Sequence, residues 1–277
     1  MGYSRPMSVE PAASIRYFRL PCHGIEAMRA RTARAFARHT HDQYGIGIID
    51  AGGHSSWSGR GQVEAGPGAF ISVNPGEVHD GAAIGGRPRA WRILYFEPRA
   101  LAALRDDVLE GAPGEFTFAA PVFADASLHA AFEAALAFAD SAAGADASRC
   151  EEAMLRLVAR LGGHSTARRV TPSAAPDVRR ARERIDADPA AALTLPELAA
   201  EAGVSRYQLI RGFRRAVGLS PHAYIVQRRL ALARRMLRAG VAPAEVAMLA
   251  GFCDQSHLGR CFTRQFGVAP GRYALLS

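Results

Sequence analysis

Residues 242–260, Ala-Pro-Ala-Glu-Val-Ala-Met-Leu-Ala-Gly-Phe-Cys-Asp-Gln-Ser-His-Leu-Gly-Arg, decide the fold because the chain writes this pattern twice. Glu197, Leu198, Ala199 and Gly203 match Glu245, Val246, Ala247 and Gly251 at an offset of 48 residues. After one inserted residue the offset is 49. Leu209, Arg211, Phe213, Gly218 and Pro221 then match Leu258, Arg260, Phe262, Gly267 and Pro270. Repetition this dense means one supersecondary unit built twice.

The unit is legible from its punctuation. Thr194 with Glu197 three residues on is a capping box that opens a short helix. Gly203 ends that helix in a left-handed conformation. Ser205 with Gln208 caps a second helix after a turn of about three residues, which is helix-turn-helix spacing. In the second copy Glu245 sits in the first turn, Gly251 follows the helix and Asp254 caps the next. Ala242 leaves that copy's first helix without a capping side chain. Between the copies, Ser220-Pro221 and Gly240 bracket a connecting helix of about 18 residues.

Helical spacing turns Leu209, Phe213 and Val217 inward, and Leu258, Phe262 and Phe266 likewise. The opposite face carries Arg206, Tyr207, Ile210, Arg211 and Arg214 in one copy, and Ser205 and Gln208 at the start of that helix are candidates beside it. In the other it carries Gln255, Ser256, Arg260 and Arg264. Arginine forks match guanine and Gln matches adenine in the major groove, whereas arginines further along each helix suit phosphates. All of these except Ile210 are the candidate DNA-binding residues; the alternative is a solvated helix face. Ile225, Leu232 and Met236 can tie the connecting helix to both units and fix two reading helices about one turn of DNA apart.

Charge agrees. Residues 1–176 hold 18 arginines and 18 acids, whereas residues 177–277 hold 16 arginines against 8 acids. The net +8 therefore belongs to the C-terminal third, and the chain has no lysine. That asymmetry points to a polyanion, with a solvated basic surface as the alternative.

Residues 178–277 resemble the DNA-binding domain of the AraC/XylS family of bacterial regulators. The resemblance is carried by Leu198-Ala199, Gly203-Val204-Ser205, Gly218-Leu219-Ser220-Pro221, Gly251-Phe252-x-Asp254-Gln255-Ser256-His257 and Phe266-Gly267-Val268-Ala269-Pro270. It implies that Tyr207, Gln208 and Arg211 lie in one major groove, and Gln255, Ser256 and Arg260 in the next. Leu258 stands where the family often has Phe, and Cys253 fills a variable turn position.

The N-terminal half has a different texture. Tyr44–Ile49, Ala69–Val73 and Trp91–Phe96 are β-type runs broken by Gly52-Gly53, Gly59–Gly61 and Gly85-Gly86, as in a small barrel or sandwich. His39-x-His41-Asp42 and Asn74-Pro75-Gly76-Glu77-x-His79 resemble the opening and closing motifs of a cupin. The resemblance implies a cupin-type effector-binding barrel over about residues 15–97. His41, Tyr44, His79, Trp91 and Tyr95 are its candidate ligand-binding residues, with core packing the alternative for Trp91 and Tyr95. His39, His41 and His79 are weak metal candidates, because the Glu a catalytic cupin carries after its His pair is absent. No cofactor is expected.

The expected architecture is α+β and multidomain. A cupin-like effector-binding domain spans 1–124 and helices that cover the barrel or mediate homodimerisation span 125–162. A Gly/Ser/Thr/Pro linker spans 163–177, and an all-α domain of two helix-turn-helix units spans 178–277. The expected partners are double-stranded promoter DNA, a small-molecule effector, a second copy if the helices dimerise, and RNA polymerase if the chain activates. No apolar run of about eighteen residues exists, so no membrane span is expected, and the N-terminus lacks a secretory apolar region. The four cysteines have no zinc spacing and are expected as reduced thiols in the cytoplasm. The alternatives are a cupin metalloenzyme with a helical appendage and a DNA-binding protein with a purely structural barrel.

Overall fold

Strand alternation organises the N-terminal half. The computed structural model describes residues 13–58, 61–108, 116–140, 146–166 and 176–275. Strands β1 (Ser14–Arg19), β2 (Ile25–Thr32), β3 (Phe36–His39), β4 (Tyr44–Ala51) and β5 (His54–Ser58) come first. They are followed by β6 (Gly61–Ala65), β7 (Phe70–Val73), β8 (His79–Ala83), β9 (Arg89–Phe96) and β10 (Val122–Phe123). One antiparallel sheet has the order β1-β2-β9-β4-β7-β10, and a second has β3-β8-β5-β6. The three β-type runs expected from sequence are thus β4, β7 and β9. Part of the expected Gly59–Gly61 turn lies outside the described residues.

Side chains alternate across each strand, so β9 faces two ways. Leu94 and Phe96 pack against helices α1 (Pro98–Val108), α2 (Ala126–Leu136) and α3 (Ala147–Leu161). Arg89, Trp91, Ile93 and Tyr95 face the other way and line a cavity between the sheets. Asp125 and Asp146 cap α2 and α3, and α3 buries Met154, Leu157, Val158 and Leu161. Each such apolar side chain contributes roughly 1.5–3 kcal/mol. The inward faces of α2 and α3 therefore cover the sheet, whereas Arg149, Glu151, Glu152 and Arg156 of α3 are exposed. Helix α1 was not foreseen: it follows β9 directly and buries only Leu101 and Leu104.

The cysteine expectation needs correction. Cys22 and Cys150 form a disulfide, with Cα atoms 6.1 Å apart; Cys253 and Cys261 are free. The loop after β1 meets the first turn of α3 across a separation of 128 residues, which no local spacing rule can detect.

The C-terminal third contains helices α4 (Pro176–Ala187), α5 (Leu195–Ala202), α6 (Arg206–Val217), α7 (Pro221–Arg238), α8 (Pro243–Leu249), α9 (Gln255–Phe266) and α10 (Pro270–Ala274). Of the expected linker, residues 167–175 lie outside the described residues. Both capping boxes form, Ser220 and Asp254 cap α7 and α9, and Ala242 makes no side-chain cap bond. The first unit buries Leu198, Leu209 and Phe213 with Val178, Ile185 and Ile225. The second buries Val246, Leu258, Phe262 and Phe266 with Leu230 and Leu237 of α7. Among the described residues no helix is long and apolar enough to cross a membrane.

Both units dock on the barrel through their matched glycines. Gly218 and Gly267 end α6 and α9 in the left-handed region, with φ of +82° and +75°. A Cβ on Gly267 would fall 2.2 Å from Ile15 Cδ1 of β1, and one on Gly218 would fall 3.4 Å from Val78. The second unit is tied more deeply. Its core is continuous with the barrel interior through Tyr17, Met28, Trp91 and Ile93. At the centre of that interface Arg234 of α7 pairs with Glu26 of β2, and both are buried. Arg234 also donates to Gln43 and to the Tyr273 hydroxyl (2.8 Å), and Tyr273 donates to Glu26 (2.6 Å). Arg238 reaches Glu97 (2.9 Å), and Arg228 bridges Asp42 and Asp186. Burial alone would raise the Glu26 carboxyl; Arg234 and Arg238 outweigh it and hold it below its ordinary range.

Removing one member of a buried pair leaves the other charge uncompensated, at a cost of about 3–5 kcal/mol. Arg234→Met is therefore expected to lower unfolding stability by that amount, measured by denaturant titration. Arg235→Met, one position away and exposed, is expected to stay within about 0.5 kcal/mol.

Candidate functional site

Two surfaces carry the candidate residues. The first is the pair α6 and α9. Ser205, Arg206, Tyr207, Gln208, Arg211 and Arg214 are all exposed, as are Gln255, Ser256, Arg260 and Arg264. Tyr207 is 71% exposed, an unusual place for a large aromatic side chain unless a partner covers it. Arg211 and Arg260 stand at equivalent positions on the two helices. Two residues have a further duty. The Ser205 hydroxyl accepts from Gln208 N (3.2 Å) and the Gln208 side-chain Oε1 accepts from Ser205 N (2.9 Å). Arg264 differs from its neighbours in setting. It borders a groove of about 270 Å³ between the domains, with Arg38, His39 and His222.

The second surface is the cavity between the sheets, about 100 Å³ in volume. Of the residues expected there, His41, His79, Trp91 and Tyr95 line it, and so does His39. Tyr44 does not. It sits on the helix side of β4, where its hydroxyl donates to the Phe116 carbonyl (2.7 Å) and its ring packs on Phe116 and Phe118. The alternation of β4 decides this: Gly45 faces the cavity and Tyr44 the opposite side.

Three histidines form one wall. His39 and His79 are cross-strand partners with ring centroids 4.3 Å apart, and His41 lies 5.1 Å from His79. Each Nδ1 meets a backbone carbonyl: Ala37 for His39, Gln43 for His41 and Glu77 for His79. A carbonyl only accepts, so each Nδ1 carries the proton and each Nε2 presents a lone pair. Burial favours the neutral ring, lowering His39 to about 3 and His79 to about 4, with His41 also well below its ordinary value. Metal-ligating histidines share this second-shell arrangement, but among the described residues no three His, Cys, Asp or Glu side chains are grouped to hold a metal ion. Asp42, next to the His pair, turns away to Arg228.

Sequence reasoning missed Arg89, His54, Tyr17 and Gln265, which also line the cavity. Arg89 was findable, since it is two residues before Trp91 on the same strand and must share its face. His54 was hidden by its glycine-rich surroundings. Tyr17 and Gln265 matter because they belong to the domain interface as well. Tyr17 donates to the Phe266 carbonyl at the end of α9 (3.2 Å), and Gln265 Nε2 donates to the Thr40 carbonyl (3.4 Å).

Known proteins share both domains. Residues 23–158 match the model of the AraC-like ligand binding domain, and residues 198–275 match a helix-turn-helix domain. The HTH-type transcriptional regulator YbfI of Bacillus subtilis (strain 168) is 30% identical over 246 residues, covering 84% of this chain and 86% of its own. The HTH-type transcriptional regulator MtrA of Neisseria gonorrhoeae is 40% identical over 80 residues, 28% of this chain and 27% of its own. Among solved structures, ToxT from Vibrio cholerae bound to an unsaturated fatty acid superposes with a TM-score of 0.57. That match has 10% identity and covers 98% of each chain, a likeness of fold. With a ligand-binding domain followed by a helix-turn-helix DNA-binding domain, the chain belongs to the AraC family of transcription regulators.

Proposed function

We propose that α6 and α9 enter two successive major-groove segments on one face of promoter DNA, and that a small molecule in the barrel cavity adjusts their presentation. Arg211 and Arg260 read base edges, supported by Tyr207 and Gln208 on one helix and by Gln255 and Ser256 on the other. Ser205, Arg206, Arg214 and Arg264 meet phosphates. Helix α7, 18 residues long, spans about 27 Å at 1.5 Å per residue. It acts as the spacer that sets the separation of the two readers. The chain works in the cytoplasm, where its DNA is. One chain carries both readers, so a homodimer is not required for two-segment recognition.

The observation that carries effector control is the double membership of Tyr17 and Gln265, which wall the cavity and also hold the second unit. A molecule that shifts either side chain has a differential affinity for the docked and undocked arrangements. That difference is the free energy available to alter DNA binding.

Arg211→Ala and Arg260→Ala are each expected to cost about 1–3 kcal/mol in binding and to relax base preference within one half-site only. Footprinting on a site selected from random DNA, followed by single-base substitution, measures this; unchanged preference in both variants overturns the groove assignment. Arg264→Ala is expected to weaken binding on every sequence and to reduce the slope of log affinity against log salt by about 1. A loss confined to one base position contradicts a phosphate role for Arg264.

A further inference from the structure

Arg89 is fully buried, at 0% exposure, on the inner face of β9. Its Nε donates to His54 Nδ1 (2.9 Å) and its Nη1 to the Arg34 carbonyl (3.2 Å). Its plane lies over the Trp91 ring, 4.6 Å from the centroid. Nη2 is buried and has no hydrogen-bond partner. Among the described residues no carboxylate pairs with this guanidinium. The two acids bordering the cavity are engaged elsewhere. Glu77 accepts from Asn74 N and Nδ2 (3.2 and 3.1 Å). Asp80 accepts from Trp57 N (2.6 Å) and lies 3.8 Å from Arg38. A buried cation without a counter-charge is costly, and arginine does not escape by losing its proton in the physiological range.

The surroundings define what would complete the site. His54 accepts from Arg89 at Nδ1, so its own proton is on Nε2. Burial and the neighbouring guanidinium keep it neutral at ordinary pH, with its pKa lowered to about 4. Gly81 of β8 comes close to both donors, and its lack of a side chain keeps that position unfilled. A Cβ there would stand 3.5 Å from Arg89 Nη2, 3.7 Å from His54 Nε2 and 3.0 Å from His54 Cε1. Among the other lining residues, Phe36, Val63, Ile71, Trp91 and Ile93 offer apolar surface. The cavity volume of about 100 Å³ approaches that of engineered apolar cavities which hold a benzene molecule.

We infer that the effector is a compact organic monoanion, a small carboxylic acid whose carboxylate takes Arg89 Nη2–H and His54 Nε2–H while its apolar body lies against Trp91. A carboxylate matches one fixed positive charge and a planar fork. A phosphate monoester would bring close to two charges to a site with a single cation. His39, His41 and His79, neutral and also on the cavity wall, add no positive charge for a second carboxylate. This assignment rests on the effector reading above for its biological use, while the binding site itself stands on Arg89.

The test pairs acids with their neutral amides on the full-length protein. Propionate, butyrate, benzoate and phenylacetate, each beside its amide, and inorganic phosphate are titrated by calorimetry and thermal shift. At least one acid is expected to bind tenfold or more tightly than its amide, with phosphate inert. Arg89→Met is expected to bring the acid-to-amide ratio to about one. If no acid outbinds its amide, or if phosphate binds as well as the acids, the inference is overturned without reliance on any variant's folding. DNA affinity measured with and without the acid separates the two proposals. Acid binding that leaves DNA affinity unchanged removes effector control and keeps the site. A DNA response to the amides equal to that of the acids removes the carboxylate and keeps effector control.

Discussion

The buried pairing of Arg234 with Glu26 fixes how the two halves of the molecule meet. Desolvation opposes both charges, and each offsets the cost of burying the other. Gln43 and Tyr273 satisfy the remaining donors and acceptors. Such a network is specific in geometry: α7 must present Arg234 to the middle of β2, and α10 must bring Tyr273 to the same point. Apolar contacts around it, from Tyr17 to Phe266, supply area but tolerate sliding; the hydrogen-bonded ion pair does not. The positions of α8 and α9 against the barrel follow from this one constraint.

The repeat makes the asymmetry between the two units informative. Their sequences encode the same helices, the same caps and the same left-handed glycines, yet they meet the barrel differently. The first unit keeps its own core and touches the barrel at Val78. The second shares a core with the cavity wall. Any change transmitted from the cavity therefore reaches α9 through packed side chains before it reaches α6. Helix α7 is the element that joins the two units.

The sequence made the local features of the C-terminal domain readable because caps and turn glycines act over three or four residues. Thr194 with Glu197, Ser205 with Gln208, Ser220-Pro221 and Asp254 all do what their spacing implies. The strands were legible as three glycine-bounded runs, but their order in two sheets was not, since pairing is set by contacts far apart in the chain. The same limit hid the Cys22–Cys150 link and the Arg234–Glu26 pair, whose partners lie 128 and 208 residues apart. Tyr44 was expected in the cavity, and the alternation of β4 turned it the other way. Arg89 was overlooked although the alternation that selects Trp91 and Tyr95 selects it as well.

The charge count also changes meaning once the fold is known. The excess of arginine in residues 177–277 suggested a single polyanion partner, but the arginines divide by helix. On α7, Arg228, Arg234 and Arg238 face acids of the barrel, namely Asp42, Glu26 and Glu97. On α6 and α9, Arg206, Arg211, Arg214 and Arg260 are exposed, and none is held by an acid of the barrel. The barrel's acids thus offset cations of the connecting helix and leave α6 and α9 positive. Separating α7 from the barrel would free Arg234 and Arg238 of their acids, whereas Arg228 would keep Asp186. Such a state would bind DNA more strongly at low salt but less selectively, because phosphate attraction carries no sequence information. Docking against the barrel therefore confines the positive field to α6 and α9, and on the proposed reading, in which these helices enter the groove, sequence selectivity depends on the interface as well as on their side chains.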